Sequence, residues 1–91
     1  MEIDRRKRKY LVDNIRMILL TNWDPLNVGQ NPMLKDEYDR YITEIYHLVS
    51  VKSQKNIIEN ALERIESQEL GLECNRQRIS TTATRLAALE F

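Results

Sequence analysis

Four carboxylates and one imidazole are the side chains of this sequence with the types and spacing for catalysis or metal binding. Asp24, Asp36, Glu37 and Asp39 cluster, and His47 follows them. Asp36 and Asp39 stand three apart, so on one helix they would share a face, as a general acid–base pair or a hard-cation site requires. Calcium, however, takes roughly six to eight oxygens, and no calcium-loop spacing occurs here. Zinc needs further nitrogen or sulfur ligands, and His47 has no second histidine or cysteine in register. The pattern favours a solvated or partner-facing acidic surface over a metal centre or a catalytic pair. No cofactor is expected.

The second chemical feature is the basic run Arg5, Arg6, Lys7, Arg8 and Lys9. Consecutive like charges at the start of a helix attract phosphate in a salt-dependent way, which makes nucleic acid a candidate partner. Glu2, Asp4 and Asp13 dilute the run, and the chain as a whole is neutral, with 14 basic and 14 acidic residues. No second basic stripe or recognition motif accompanies it. A solvated helical end, or pairing with acidic residues elsewhere in the chain, accounts for it equally simply. Cys74 is the only cysteine, which excludes an internal disulfide and a multi-cysteine metal site. Its acidic surroundings give no reason to expect a reactive thiol, so it reads as a structural or incidental residue.

The elements that must position these groups read as helices. Leu11, Ile15 and Ile18 or Leu19 form an apolar stripe at helical spacing, extended by Val12 and Trp23, over about residues 3–22. A second helix is expected from about Leu34 to Ser50, with Tyr38, Ile42, Ile45 and Val49 inward and Asp36-Glu37 in its first turn, at the positive end of the helix dipole. Ser53 is the expected N-cap of a third helix carrying Ile58, Leu62 and Ile65, which Gly71 ends in a left-handed conformation. Asn75 then caps a fourth, with Ile79, Ala83 and Leu86 inward. On the third helix Glu59, Glu63, Glu66 and Glu69 recur every three or four residues and read as an acidic ridge beside the apolar stripe. Nothing alternates with period two. The expected fold is all-α, one domain over residues 1–91, with residues 1–10 a basic extension of the first helix.

The connection between the first two helices is unusually rich. It holds the only tryptophan, both prolines and one of the two glycines. Trp23, Asp24, Pro25, Leu26, Val28 and Gly29 read as a hydrophobic clasp folding the connection against the core. Asp24 pins the turn through its carboxylate, and the indole nitrogen seeks a backbone acceptor.

Size and composition set the outer limits. Ninety-one residues bury roughly 60–70% of the unfolded surface, enough for one core and too little for a deep cavity. A hydrophobic content of 42% is that of a globular chain. The longest apolar run, Met17-Ile18-Leu19-Leu20, is far short of the roughly 20 residues of a membrane span. With no secretory pattern at the start, a soluble cytoplasmic protein that does not enter membranes is expected.

Three segments together carry a resemblance: Trp23-Asp24-Pro25-Leu26-Asn27-Val28-Gly29; Asp36-Glu37-Tyr38-Asp39-Arg40-Tyr41; and Ile65-Glu66, followed by Glu69-Leu70-Gly71-Leu72. They resemble the W-D-P-(I/L)-x-V, D-E-Y-D-x-Y and I-E-x-x-x-(M/L)-G-L signatures of a largely uncharacterised group of small all-helical bacterial proteins. Some of that group look like immunity proteins that neutralise a toxin domain, including toxins of contact-dependent growth inhibition. The resemblance spans about residues 11–90 and leaves out the basic run. Together with the small size, the absence of a catalytic constellation and the acidic, tyrosine-rich stretch 36–46, it makes the expected function a non-enzymatic protein-binding module, a monomer or weak homodimer, whose partner is a basic toxin or nuclease domain. Tyrosine is enriched at interface hot spots, and acidic side chains steer a basic partner. The expected contact residues are Asp36, Glu37, Asp39 and Tyr41, then Glu59, Glu63 and Glu66.

Overall fold

The computed structural model describes residues 5–90, and every described element is helical. The order is α1 (Arg5–Ile18) with a π turn (Leu19–Trp23), a short 3-10 turn (Pro32–Leu34), α2 (Asp39–Ser50), α3 (Lys55–Arg64) with a second π turn (Ile65–Glu69), and α4 (Arg76–Ala87). The expected all-α fold of four helices is the one observed. The expected start of the first helix near residue 3 lies outside the described residues. No described helix is long and apolar enough to cross a membrane.

The stripe of α1 explains its π turn. Leu11, Ile15, Leu19 and Trp23 are all completely buried and lie four residues apart. On a regular α-helix each four-residue step turns about 40° too far, so a long series drifts off the core. The π turn puts more residues in one turn, and the Asp24 amide donates to the Leu19 carbonyl at 2.8 Å to close it. This cancels the drift and returns Trp23 to the inner face.

α2 begins later than residue 34 because Tyr38 is drawn inward. Residues 34–41 climb through successive i→i+3 bonds, Glu37 to Leu34 at 3.1 Å, Asp39 to Asp36 at 3.1 Å and Tyr41 to Tyr38 at 3.0 Å. That tighter winding buries Tyr38 against Trp23, ring centroids 5.3 Å apart at 46°. Asp36 and Glu37 therefore occupy an exposed turn rather than the first turn of a helix. Ser53 does not cap α3 either. Its amide donates to the Leu48 carbonyl at 3.0 Å and finishes α2, with Lys52 in a left-handed conformation (φ 56°). Helix α3 starts after Gln54 with no side-chain cap. Two expected helix ends do form: Gly71 is left-handed at φ 66°, and the Asn75 side chain accepts from the Arg78 amide at 3.0 Å.

The core draws on every helix: Leu11, Ile15 and Leu19 from the first, Ile42, Ile45 and Val49 from the second, Ile58, Leu62 and Ile65 from the third, and Ile79, Ala83 and Leu86 from the fourth. Helix α3 packs chiefly on α4, α1 on α2, and the π turn after α1 lies against α4. The radius of gyration is 12.5 Å, close to the roughly 12 Å of a well-packed chain of this length.

Candidate protein-binding surface and the buried node behind it

The connection 24–38 is held from inside by one carboxylate. Asp24 adopts a left-handed conformation (φ 38°), which a short polar side chain tolerates. Its Oδ1 accepts from the Val28 amide at 2.8 Å and from the Tyr38 hydroxyl at 2.7 Å, and its Oδ2 accepts from the Gly29 amide at 2.9 Å. The Tyr38 hydroxyl in turn accepts from the Leu26 amide at 2.9 Å. Burial, then the neighbouring Asp24 carboxylate, raises the Tyr38 pKa above its ordinary value and keeps the phenol a donor. Further along, the Asn31 side chain accepts from the Met33 amide at 3.0 Å. A long connection is thus ordered without a hydrophobic core of its own.

Behind it lies a polar node inside the core. The Trp23 indole N–H donates to Glu66 Oε1 at 2.7 Å, and the Asn75 amide donates to Glu66 Oε2 at 2.8 Å. Glu66 is 3% exposed. The two π turns are thereby tied to each other and to the cap of α4 by one side chain. The indole was expected to find a backbone acceptor; it finds a carboxylate, because the second π turn rotates Glu66 inward. A sequence signal for this exists. Glu66 lies eight residues after Ile58, on the same 3.6-residue face as Leu62 and Ile65.

The expected contact residues separate accordingly. Asp36 and Glu37 are exposed and form no ion pair among the described residues. Asp39 is committed to Arg16, whose Nε lies 2.9 Å from Oδ1 and Nη2 3.1 Å from Oδ2; this pair raises the Arg16 pKa. Tyr41 is 9% exposed and packs in the core under Arg40, so it is not a free aromatic anchor. Glu59 is half-buried, and Glu63 receives Arg76 at 2.8 Å. Glu66 faces the core and cannot belong to a surface ridge. What the expectation missed is apolar. Met33 is 84% exposed, and Leu26 is exposed as well. The clasp holds Trp23 in the core and leaves Pro25 and Val28 half-buried, but it turns Leu26 outward.

Asp36, Asp39 and His47 do not converge. Asp36 precedes the helix, Asp39 is paired with Arg16, and His47 stands exposed about 12 Å further along α2. Among the described residues no group of three or more His, Cys, Asp or Glu is placed to hold a metal.

Two hollows remain. A polar cleft of about 320 Å³ between the first π turn and α4 is lined by Thr21, Asn22, Asn75, Gln77, Arg78 and Thr81. A more apolar groove of about 270 Å³ lies between α1 and α2, lined by Arg8, Val12, Ile42, Thr43 and Tyr46. Arg5 to Lys9 are helical and exposed, with Lys9 paired to Asp13 at 3.0 Å, which lowers the Asp13 pKa. Compared with protein-family models, with curated proteins and with solved structures, the chain matches none.

Proposed function

We propose that this chain is a non-enzymatic, cytosolic protein-binding module, most concretely an immunity protein that neutralises a basic toxin or nuclease domain. The observation that carries the reading is the surface of residues 26–37. A connection pinned by Asp24 and Tyr38 presents Met33 and Leu26 outward beside the carboxylates of Asp36 and Glu37, which form no ion pair among the described residues. Lys35 lies in the same turn and offsets only part of that charge. Interfaces combine a few apolar anchors with a charged rim that steers the partner, and this surface has both. A rigid surface also loses little conformational entropy on binding. The resemblance of the three sequence motifs to the immunity group points the same way.

The test is co-purification with the product of the adjacent upstream gene, with protection of cells from that product. The reversal Asp36→Lys/Glu37→Lys should weaken the complex at least about tenfold, or about 1.4 kcal/mol, while leaving thermal stability unchanged. Absence of both complex and protection would refute the proposal. A second reading, nucleic-acid association through Arg5–Lys9, draws on the exposure of that run. It requires retention on nucleic acid at low salt, lost when the five residues become alanine.

A further inference from the structure

We propose that this chain pairs with a second copy of itself, antiparallel along α1 and α2, with residues 26–37 of each copy seated in the α1–α2 groove of the other. The inference rests on the reading of 26–37 as a docking surface and identifies what covers the groove when no foreign partner does.

The α1–α2 hairpin is electrically polarised. The two helices run antiparallel, since Arg16 meets Asp39 near one end while Arg8 and Tyr46 line one groove near the other. Residues 1–9 carry five basic and two acidic side chains, a formal charge of +3, whereas residues 24–39 carry four acidic and one basic, a formal charge of −3. Arg5, Lys7 and Arg8 have no ion-pair partner among the described residues, nor do Asp36 and Glu37. Part of the charge at each end is therefore left without an opposite charge among the described residues. The neutrality of the whole protein conceals this separation.

Groove and connection are also complementary in polarity. Val12, Ile42 and Tyr46 give the groove an apolar floor, and Arg8 stands at its rim. Arg5, Arg8 and Val12 fall at i, i+3 and i+7, on one side of α1. A matching occupant needs an unbranched apolar side chain beside carboxylates. The connection of a second copy offers Met33, the most exposed large apolar side chain described, next to Asp36 and Glu37. Methionine fills irregular hollows well because its chain is long and unbranched. Parallel pairing would set like charges together. Antiparallel pairing brings both opposite-charge contacts into register at once, and a two-fold contact closes at the dimer instead of propagating.

Sedimentation equilibrium of the full chain at about 200 μM tests this. The expected result is a dimer at about 50 mM salt that dissociates at about 500 mM, because exposed charge pairs are screened. Arg5→Glu/Arg8→Glu should be monomeric, as should Asp36→Lys/Glu37→Lys. Mixed in equal amounts, the two reversed chains should form a heterodimer in which every contact again joins opposite charges. A wild-type chain that is monomeric at both salts, a dimer indifferent to the reversals, or growth beyond the dimer would overturn the pairing. Arg5→Glu/Arg8→Glu leaves residues 26–37 intact, so its binding to the toxin reads the proposed function independently. Loss of self-pairing with toxin binding retained separates the two.

Discussion

Replacing Glu66 by glutamine is the sharpest probe of the node that ties the two π turns together. The carboxylate has two acceptors in use, one for the Trp23 indole at 2.7 Å and one for the Asn75 amide at 2.8 Å. A glutamine side chain has one acceptor oxygen. Whichever donor it serves, its NH2 group faces the other, so one N–H is left without a partner. Hydrogen bonds to a charged group contribute about 1.5–3 kcal/mol, and orphaning a buried donor costs about 1–3 kcal/mol. The neutral amide is cheaper to bury than a carboxylate, which offsets part of this. The net expectation is a loss of about 1–3 kcal/mol, or a fall in Tm of roughly 5–15 °C for a domain of this size. Urea denaturation followed by fluorescence measures it directly, since Trp23 is the only tryptophan and sits at the altered bond. A double-mutant cycle with Trp23→Phe, followed by circular dichroism because that variant has no tryptophan, should give a coupling of about 1–2 kcal/mol. Unchanged stability with unchanged emission, or a cycle with no coupling, would refute the claim that this bond holds the π turns together.

Three further outcomes follow from particular contacts. In Gly29→Ala the new Cβ would lie 2.6 Å from the Leu20 carbonyl oxygen and 2.9 Å from Asp24 Oδ2, so about 1–3 kcal/mol should be lost in chemical denaturation. Thr82→Val should stabilise by about 1 kcal/mol in the same assay, because the Thr82 hydroxyl is fully buried with no partner among the described residues. Tyr38 has a folded-state pKa above its unfolded value of about 10, so its contribution is complete below that pH and is lost as pH rises further. Denaturation across pH 8–11 should show this alkaline decline in the wild type and a shallower one in Tyr38→Phe, which itself should be about 1–2 kcal/mol less stable at neutral pH.

The apolar stripes Leu11-Ile15-Leu19, Ile42-Ile45-Val49, Ile58-Leu62-Ile65 and Ile79-Ala83-Leu86 sit at spacings that only helices bury, so four helices and their inward faces were legible from the residues alone. The same holds for the Asn75 cap, the left-handed Gly71 and the pinning role of Asp24, since each depends on neighbours a few residues away. Long-range partners were not legible. Glu66 reads as one member of an acidic ridge, although its spacing also fits the apolar face, because the donor it meets there, Trp23, lies 43 residues away. Tyr41 and Asp39 looked available until α1 and the core claimed them. The start of α2 moved where Tyr38 meets Asp24 and Trp23, partners on another segment that the local spacing does not reveal. Local spacing determines which face of a helix is apolar. Which charged side chain turns inward depends on donors brought from distant parts of the chain, and only the tertiary packing decides that.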